Sequence, residues 1–340
     1  MRILLTGGAG FIGCNLAEAC IRAGHQVTLF DNLSRRGSRA NLDWLRASFG
    51  DDFGFIQGDI RDYPAILAAA RGQEAIYHLA AQTAVTTSVT DPRPDFEINA
   101  LGTFNVLEAA RNAGHDPIFI YSSTNKVYGG MEDAPATELA TRYVLADYPN
   151  GVSEERPLDF HSPYGCSKGA ADQYVRDYSR IYGLRSVVFR QSCIYGQRQM
   201  GVEDQGWVAW FVIAAVSGKP ITIYGNGKQV RDLLHVDDLV RAFQTATERI
   251  DVTKGQVYNL GGGPANTLSI WAEFGPLLRE LTGREVVPAA WSDWRPGDQP
   301  VFVADVSKAG QEFGWAPQVS VRDGIARLVA WVKANRELFA

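Results

Sequence analysis

The sequence predicts an α/β chain: a doubly wound parallel sheet with a smaller mixed α/β substrate domain. Short apolar runs alternate with helical segments from the first residues to about residue 191, the pattern of strands joined by crossover helices. A glycine-rich turn follows the first of these runs at once. At 340 residues and 46% hydrophobic content, the chain is long enough to bury one large core and a smaller one.

Arg2–Thr6 is the first apolar run, and it stops at Gly7-Gly8-Ala9-Gly10-Phe11-Ile12-Gly13, after which 15–23 has helical character. In such a strand, turn and helix, Gly7 permits the tight turn, Gly10 lets the backbone approach a pyrophosphate, and Gly13 lets helix and strand pack closely. The helix amino end then faces an anion with free N–H groups. The glycines alone also read as a plain structural turn. The next run, 26–30, ends in Asp31, eighteen positions past Gly13, where an adenosine ribose needs a carboxylate. Asp31 would accept from the ribose hydroxyls and repel a 2′-phosphate, which favours NAD over NADP; Arg35 and Arg36 pull the other way, and a loop cap is the alternative role. Phe53–Gln57 leads to Gly58-Asp59-Ile60, suited to flank an adenine, and 75–79 leads to Ala80-Ala81-Gln82. Together these features define a Rossmann-type sheet whose ligand lies at the carboxyl ends of the strands.

A helix over 95–113 has Leu101, Phe104, Val106 and Leu107 to bury, with Asn99 near its start either solvated or bridging to the site. The strand at 117–121 is left by the loop Ser122-Ser123-Thr124-Asn125-Lys126-Val127-Tyr128-Gly129. His161-Ser162-Pro163-Tyr164 opens the next helix, and the spacing puts Tyr164 and Lys168 on one helical face. An adjacent ammonium favours the phenolate, so Tyr164 can act as acid and base while Lys168 tunes it and holds a ribose. The bland alternative is a surface helix on which the two happen to lie. Thr124 is the hydroxyl expected beside Tyr164, able to hold a sugar hydroxyl for proton removal, or else a turn threonine bonding its own backbone.

Past the strand at 186–191 the second domain is expected to begin: 1–185 is read as the dinucleotide-binding domain, with later segments returning to it, and 186–340 as mainly substrate-binding. The helix at 205–216 places Trp207, Trp210 and Phe211 in a core. A strand at 221–224 precedes the turn Gly225-Asn226-Gly227, and Asp237-Asp238 open a helix as N-terminal acids do. Arg231 and Arg295 are the guanidinium groups set against a diphosphate, though either alone reads as a surface ion pair. Trp291 and Trp294 either wall the pocket or pack.

A formal net charge of −5 without a dense basic run argues against nucleic acid. The longest apolar stretch, 207–216, is too short to cross a bilayer. Met1 is followed by a strand and not by a secretory leader, so a cytoplasmic location is expected. The four cysteines, Cys14, Cys20, Cys166 and Cys193, have no paired metal spacing and are expected to be free; Cys193 is the one placed to approach a ligand. No metal is expected.

The glycine turn, Asp31, Thr124 and the Tyr164/Lys168 pair resemble the extended short-chain dehydrogenase/reductases, the group of nucleotide-sugar epimerases and dehydratases. The stretches Asp31-Asn-Leu-Ser-Arg35, Thr86-Thr-Ser88, 122–129, 159–168, Asp204-Gln-Gly-Trp-Val208 and 225–232 resemble one branch in particular, the CDP-paratose 2-epimerases, also called CDP-tyvelose epimerases. The resemblance implies Thr124, Tyr164 and Lys168 as the catalytic set. It implies an NAD site of Gly7, Gly10, Phe11, Ile12, Gly13, Asp31, Asn32, Ser34, Arg35, Asp59, Ile60, Ala80, Ala81 and Gln82, completed by Asn99, Tyr164 and Lys168. A CDP-sugar would meet Thr86, Thr124, Asn125, Arg231, Arg295 and Asp298, the last accepting from the nucleotide ribose. Thr83, Gln197 and Met200 depart from the pattern, where an aliphatic, a proline and an aromatic are usual.

A resident nicotinamide can take hydride from a carbinol carbon while the phenolate takes the hydroxyl proton, and hydride return to the other face inverts one centre. Asn125 and Lys126 stand where related dehydratases carry an acidic pair, so a base for elimination is lacking. That fits a 2-epimerase and a UDP-sugar 4-epimerase equally; C2 rests on the resemblance. A non-catalytic NAD-sensing regulator is the reading from another class, and it has no need of the Tyr/Lys pair. Family members commonly pair through the helices at about 95–113 and 164–182, where Ala170, Tyr174, Val175 and Tyr178 offer apolar surface, so a homodimer or higher homo-oligomer is expected.

Overall fold

The computed structural model describes residues 1–295 and 297–339. Seven parallel strands form the main sheet: β1 (Arg2–Thr6), β2 (Gln26–Asp31), β3 (Phe53–Gln57), β4 (Ala75–His78), β5 (Ile118–Thr124), β6 (Arg185–Gln191) and β7 (Val257–Leu260), in the order β7-β6-β5-β4-β1-β2-β3. The chain steps outward from β1 to β3 and then returns to β4 on the other side of β1. This reversal opens a crevice between β1 and β4 at their carboxyl ends. The two loops there nearly touch: Gly7 sits at φ +68°, and a Cβ on it would stand 2.7 Å from the Ala80 amide nitrogen. A Cβ on Gly13 would stand 2.2 Å from the Gly7 carbonyl oxygen, so the close approach at that glycine is of helix to turn, where one of helix to strand was expected.

Helices cover both faces, so the central strands are apolar without alternation. Phe11–Arg22, Ser38–Phe49 and Val236–Glu248 bury Leu16, Leu45 and Phe243 on one side; Tyr63–Ala70, Gly102–Asn112 and Ser162–Tyr182 bury Ile66, Val106 and Val175 on the other. Strands β6 and β7 and the helix Val236–Glu248 thus join the large sheet from beyond residue 185. A separate apolar core lies among the helices Trp207–Ser217, Phe274–Thr282 and Val321–Ala334, around Phe211, Phe274 and Leu328. Short strands flank it: Val230–His235 runs parallel to Cys193–Tyr195 and Val301–Phe302 and antiparallel to Thr267–Ser269, giving a mixed sheet.

Three local expectations change. The helix expected over 95–113 is Pro92–Phe96, a wider π turn at Glu97–Leu101, and Gly102–Asn112. Leu101 and Phe104 on it are exposed, while Val106 and Leu107 are fully buried. Strand β5 runs on through Thr124, because β6 pairs with it as far as Gln191. Val175 and Tyr178, expected on an apolar surface, go to the core, while Tyr174, Ile181 and Tyr182 on the same helix are exposed. All four cysteines are free, and among the described residues no helix is long and apolar enough to cross a membrane.

Candidate active site

Two joined cavities lie along the carboxyl ends of the strands. The larger, about 400 Å³, takes in Thr124, Tyr164 and Lys168, and the smaller, about 260 Å³, follows the glycine turn; they share Phe11, Ile12, Ala81 and Thr83.

The helix Ser162–Tyr182 carries Pro163 in its first turn, where a missing N–H costs nothing. Two of its unpaired first-turn donors are met by hydroxyls: Tyr164 N–H donates to Ser88 Oγ at 3.1 Å and Gly165 N–H to Ser162 Oγ at 3.2 Å. This fixes where the helix starts and therefore where Tyr164 points. Burial pushes the Tyr164 phenol up to about 12; the Thr124 hydroxyl and, more weakly, Arg35 oppose the rise and Asp95 adds to it. Burial pushes the Lys168 ammonium down to about 7, with Asp172 and Asp95 working against it. Lys168 Nζ donates to Ser122 O at 2.7 Å and lies 4.3 Å from the Tyr121 ring centroid. Lys168 was expected to act on the phenol through its charge. Its ammonium is aimed at Ser122 O and the Tyr121 ring, and Thr124 and Arg35 are further groups that favour the phenolate.

Every residue expected around a dinucleotide, from Gly7 to Gln82, lines the smaller cavity; Asn99 does not. The helix Phe11–Arg22 begins at Gly10 with no capping side chain, which leaves its first N–H groups turned to the cavity for an anion. Asp31 Oδ2 accepts from Ala9 N–H at 3.0 Å and Oδ1 from Leu33 N–H at 2.7 Å. Burial raises its pKa, and those backbone donors restrain the rise. The carboxylate thus ties the glycine turn to β2 and keeps lone pairs for a hydroxyl. Asn32 Nδ2 donates to Asp59 Oδ2 at 2.9 Å, Ser34 N–H to Asn32 Oδ1 at 3.0 Å, and Arg35 bonds Gln205. Hydrogen bonds from Arg61 hold the Asp59 carboxyl well below the usual carboxylate range. These donors and acceptors fit a diphosphate against the glycine turn and a ribose at Asp31.

Asn99 is buried and braces the site from behind. Its Oδ1 accepts from Gln82 N–H at 2.9 Å, and its Nδ2 donates to Asp95 Oδ1 at 3.1 Å and Ser167 Oγ at 3.2 Å. Asp95, whose Oδ2 accepts from Ser167 Oγ at 2.5 Å, completes this link between the π turn and the helix that carries Tyr164.

Thr86, Asn125, Arg231, Arg295 and Asp298 line the larger cavity, as does Cys193; Pro296 lies outside the described residues. The two expected diphosphate arginines already have partners. Arg231 Nη2 meets Asp298 Oδ1 at 2.5 Å, while Arg295 donates to Glu203 O at 2.9 Å, pairs with Asp204 at 3.3 Å and stacks 3.9 Å from the Tyr224 centroid. Trp291 and Trp294 are exposed and outside the cavity walls, whereas Trp207 lines them. Of the three departures, Thr83 lies on both cavity walls. Gln197 Nε2 bonds Asn15 Oδ1 and Asp237 Oδ1, each at 2.9 Å, and so ties its loop to two helices. Met200 fills space beside Gly37, where a Cβ would stand 2.1 Å from its Cγ.

Asp95, Gln191 and Gln205 were not singled out from the sequence. Gln191 ends a strand and so carried a signal. Gln205 lies in the stretch 204–208 that carries the branch resemblance, while Asp95 carried none, since its role depends on partners far along the chain.

The family described as GDP-mannose 4,6 dehydratase matches residues 4–328. CDP-paratose 2-epimerase of Salmonella typhi is 46% identical over 345 residues, covering 98% of this chain and 100% of that protein. The crystal structure of UDP-glucose 4-epimerase with UDP-glucose from Thermotoga maritima superposes with a TM-score of 0.83 at 30% identity, covering 99% of this chain and 100% of that one. A dTDP-glucose 4,6-dehydratase from Streptomyces venezuelae, solved with NAD bound, superposes with a TM-score of 0.84 at 31% identity, covering 99% and 98%. With this likeness running end to end and the glycine turn, Asp31 and Tyr164 gathered along one crevice, the chain belongs to the extended short-chain dehydrogenase/reductases, in the GDP-mannose 4,6 dehydratase family.

Proposed function

We propose that the chain is an NAD-dependent epimerase of a nucleotide-activated hexose that inverts C2 of a CDP-hexose, CDP-paratose to CDP-tyvelose. The observation that carries the epimerase reading is that the larger cavity, lined by Tyr164 and Thr124, opens through Phe11, Ile12, Ala81 and Thr83 into the smaller cavity along the glycine turn. The choice of CDP and C2 is supported by the 46% identity to CDP-paratose 2-epimerase.

NAD, when bound, supplies a carbon that accepts hydride and gives it back. Gly7, Gly10, Gly13 and the open helix amino end hold its diphosphate, and Asp31 takes the adenosine ribose. Tyr164 removes the proton from the sugar hydroxyl and later returns it. Thr124 orients that hydroxyl, and Lys168, with two donors left beyond its bond to Ser122, holds the nicotinamide ribose. Asn125 and Lys126 offer no carboxylate to pull a proton from carbon, which suits an enzyme that must not eliminate a hydroxyl from its transient ketone.

The test is to feed CDP-paratose, CDP-glucose and UDP-glucose in deuterated water and locate the inverted centre by NMR. Inversion at C2 of the CDP-sugars is expected, with no deuterium at that carbon, because its hydrogen returns from the nicotinamide. Deuterium at the inverted carbon would replace hydride shuttling by enolisation. Inversion at C4 of UDP-glucose alone would establish the second reading, a UDP-sugar 4-epimerase, which the Thermotoga maritima superposition favours.

We also infer a homodimer. Phe96, Leu101, Phe104, Tyr174, Ile181 and Tyr182 are exposed on the helices that cover one sheet face, and the rings of Phe104 and Tyr174 lie 6.1 Å apart, so the patch crosses from one helix to the next. Exposed apolar side chains that meet across two helices favour association.

A further inference from the structure

Six buried polar atoms on the wall of the larger cavity have no hydrogen-bond partner among the described residues: Thr83 Oγ1, Thr86 Oγ1, Gln191 Nε2, Gln199 Oε1, Trp207 Nε1 and Gln229 Oε1. Buried polar atoms are normally paired, and an unpaired one on a side chain that lines a cavity marks a group left for a ligand to satisfy once that side chain turns to it. Gln191 stands out by its place in the sheet. It is the last residue of β6 and is 6% exposed. Its register partner on the parallel strand β5 is Thr124, so the two side chains leave the same face of the sheet side by side.

The residue before it makes that placement rigid. Arg190 points to the opposite face, where it is gripped by Asp172 through two contacts of 3.0 Å, so β6 cannot turn without breaking a buried ion pair. A carboxamide in this position offers a donor and an acceptor at once, the pair of functions a hydroxyl group requires.

We propose that Gln191 is a hexose-contacting residue that binds a sugar hydroxyl beside the one held by Thr124, and that it sets which hydroxyl pattern is accepted. This rests on the nucleotide-hexose reading above. The contact is to the sugar and not to the nucleotide, and the two can be measured apart.

Gln191→Met removes both polar functions at similar size. Calorimetric titration of the NAD-loaded protein with CDP-glucose and with CDP alone, and in parallel with UDP-glucose and UDP, compares a hexose-bearing ligand with its hexose-free counterpart. The expected result is a sugar-nucleotide affinity weakened roughly tenfold to a hundredfold, with binding of the bare diphosphate and the content of bound NAD unchanged. Gln191→Asn, which keeps both donor and acceptor on a side chain one methylene shorter, should recover part of the loss and serves if the methionine variant does not fold. Equal weakening of both ligands makes Gln191 a structural strand residue, and no weakening of either shows that it makes no contact; each outcome overturns the proposal. If the wild type binds only the uridine pair, the CDP reading fails, and Gln191 is then judged on that pair by the same comparison.

Discussion

Tyr164→Phe keeps the fold and the bound dinucleotide and loses turnover by about a hundredfold or more, the scale of general acid–base catalysis. The ring is almost wholly buried, and the substitution removes one hydroxyl that faces the cavity, so packing is preserved. Chemically the loss is large, because the same oxygen must take a proton during oxidation and return it during reduction. The pH profile separates this from a structural effect. With the phenol pushed up to about 12 by burial, only a small fraction is ionised near neutrality. Turnover should therefore rise with pH as the phenolate population grows, until other groups or stability intervene. In Tyr164→Phe that rising limb should vanish while the residual rate stays flat. Unchanged turnover would remove Tyr164 from the mechanism. An unchanged profile at lower rate would assign the titration to another group, Lys168 being the first candidate because burial brings it to about 7.

How far the sequence reached is visible in this residue. Its position on a helix beside Lys168 was legible from the spacing, because periodicity of a helix is local. What governs its proton was not. Thr124, Arg35 and Asp95, the groups that act on the phenol, come from separate stretches of chain, and only folding brings together the end of β5, the loop after β2 and the helix Pro92–Phe96. The residues expected around a dinucleotide from Gly7 to Gln82 line one cavity, since each sits within a few residues of a strand end. The substrate wall was read less well. Arg231 and Asp298 were assigned separately to a ligand, whereas they pair with each other at 2.5 Å, and sequence carries no sign of which charges meet. The π turn at Glu97–Leu101 escaped for the same reason: it is the geometry that accommodates Asn99 between Gln82 and Ser167, two long-range partners.

Asp172→Ala is expected to cost about 3–5 kcal/mol of stability, because it leaves the Arg190 guanidinium buried and unpaired. Asp172 and Arg190 are 0% and 3% exposed in their side chains. Burial works against the Arg190 charge, and Asp172, with Tyr128 beside it, more than restores it. The carboxylate also accepts from Ser123 Oγ at 2.8 Å, and Arg190 Nη1 donates to Tyr128 OH at 3.1 Å, which passes the chain on to Asn259 Oδ1 at 2.8 Å. One network therefore clamps β5, β6, β7 and the helix Ser162–Tyr182 together. Its members sit next to the reacting groups in sequence: Ser123 precedes Thr124, Arg190 precedes Gln191, and Asp172 lies one helical turn past Lys168. Thermal unfolding should show Tm lowered by roughly 5–10 °C. The double variant Asp172→Ala/Arg190→Met, which removes both charges, should regain much of the loss, since the penalty lies in the orphaned ion more than in the missing attraction. Turnover distinguishes stability from positioning. If the clamp aims Thr124 and Gln191, the double variant recovers its Tm yet remains slower than wild type at a temperature where both are folded. A single variant that loses less than about 1 kcal/mol, the scale of an exposed ion pair, would mean that the pair is not the clamp its burial implies.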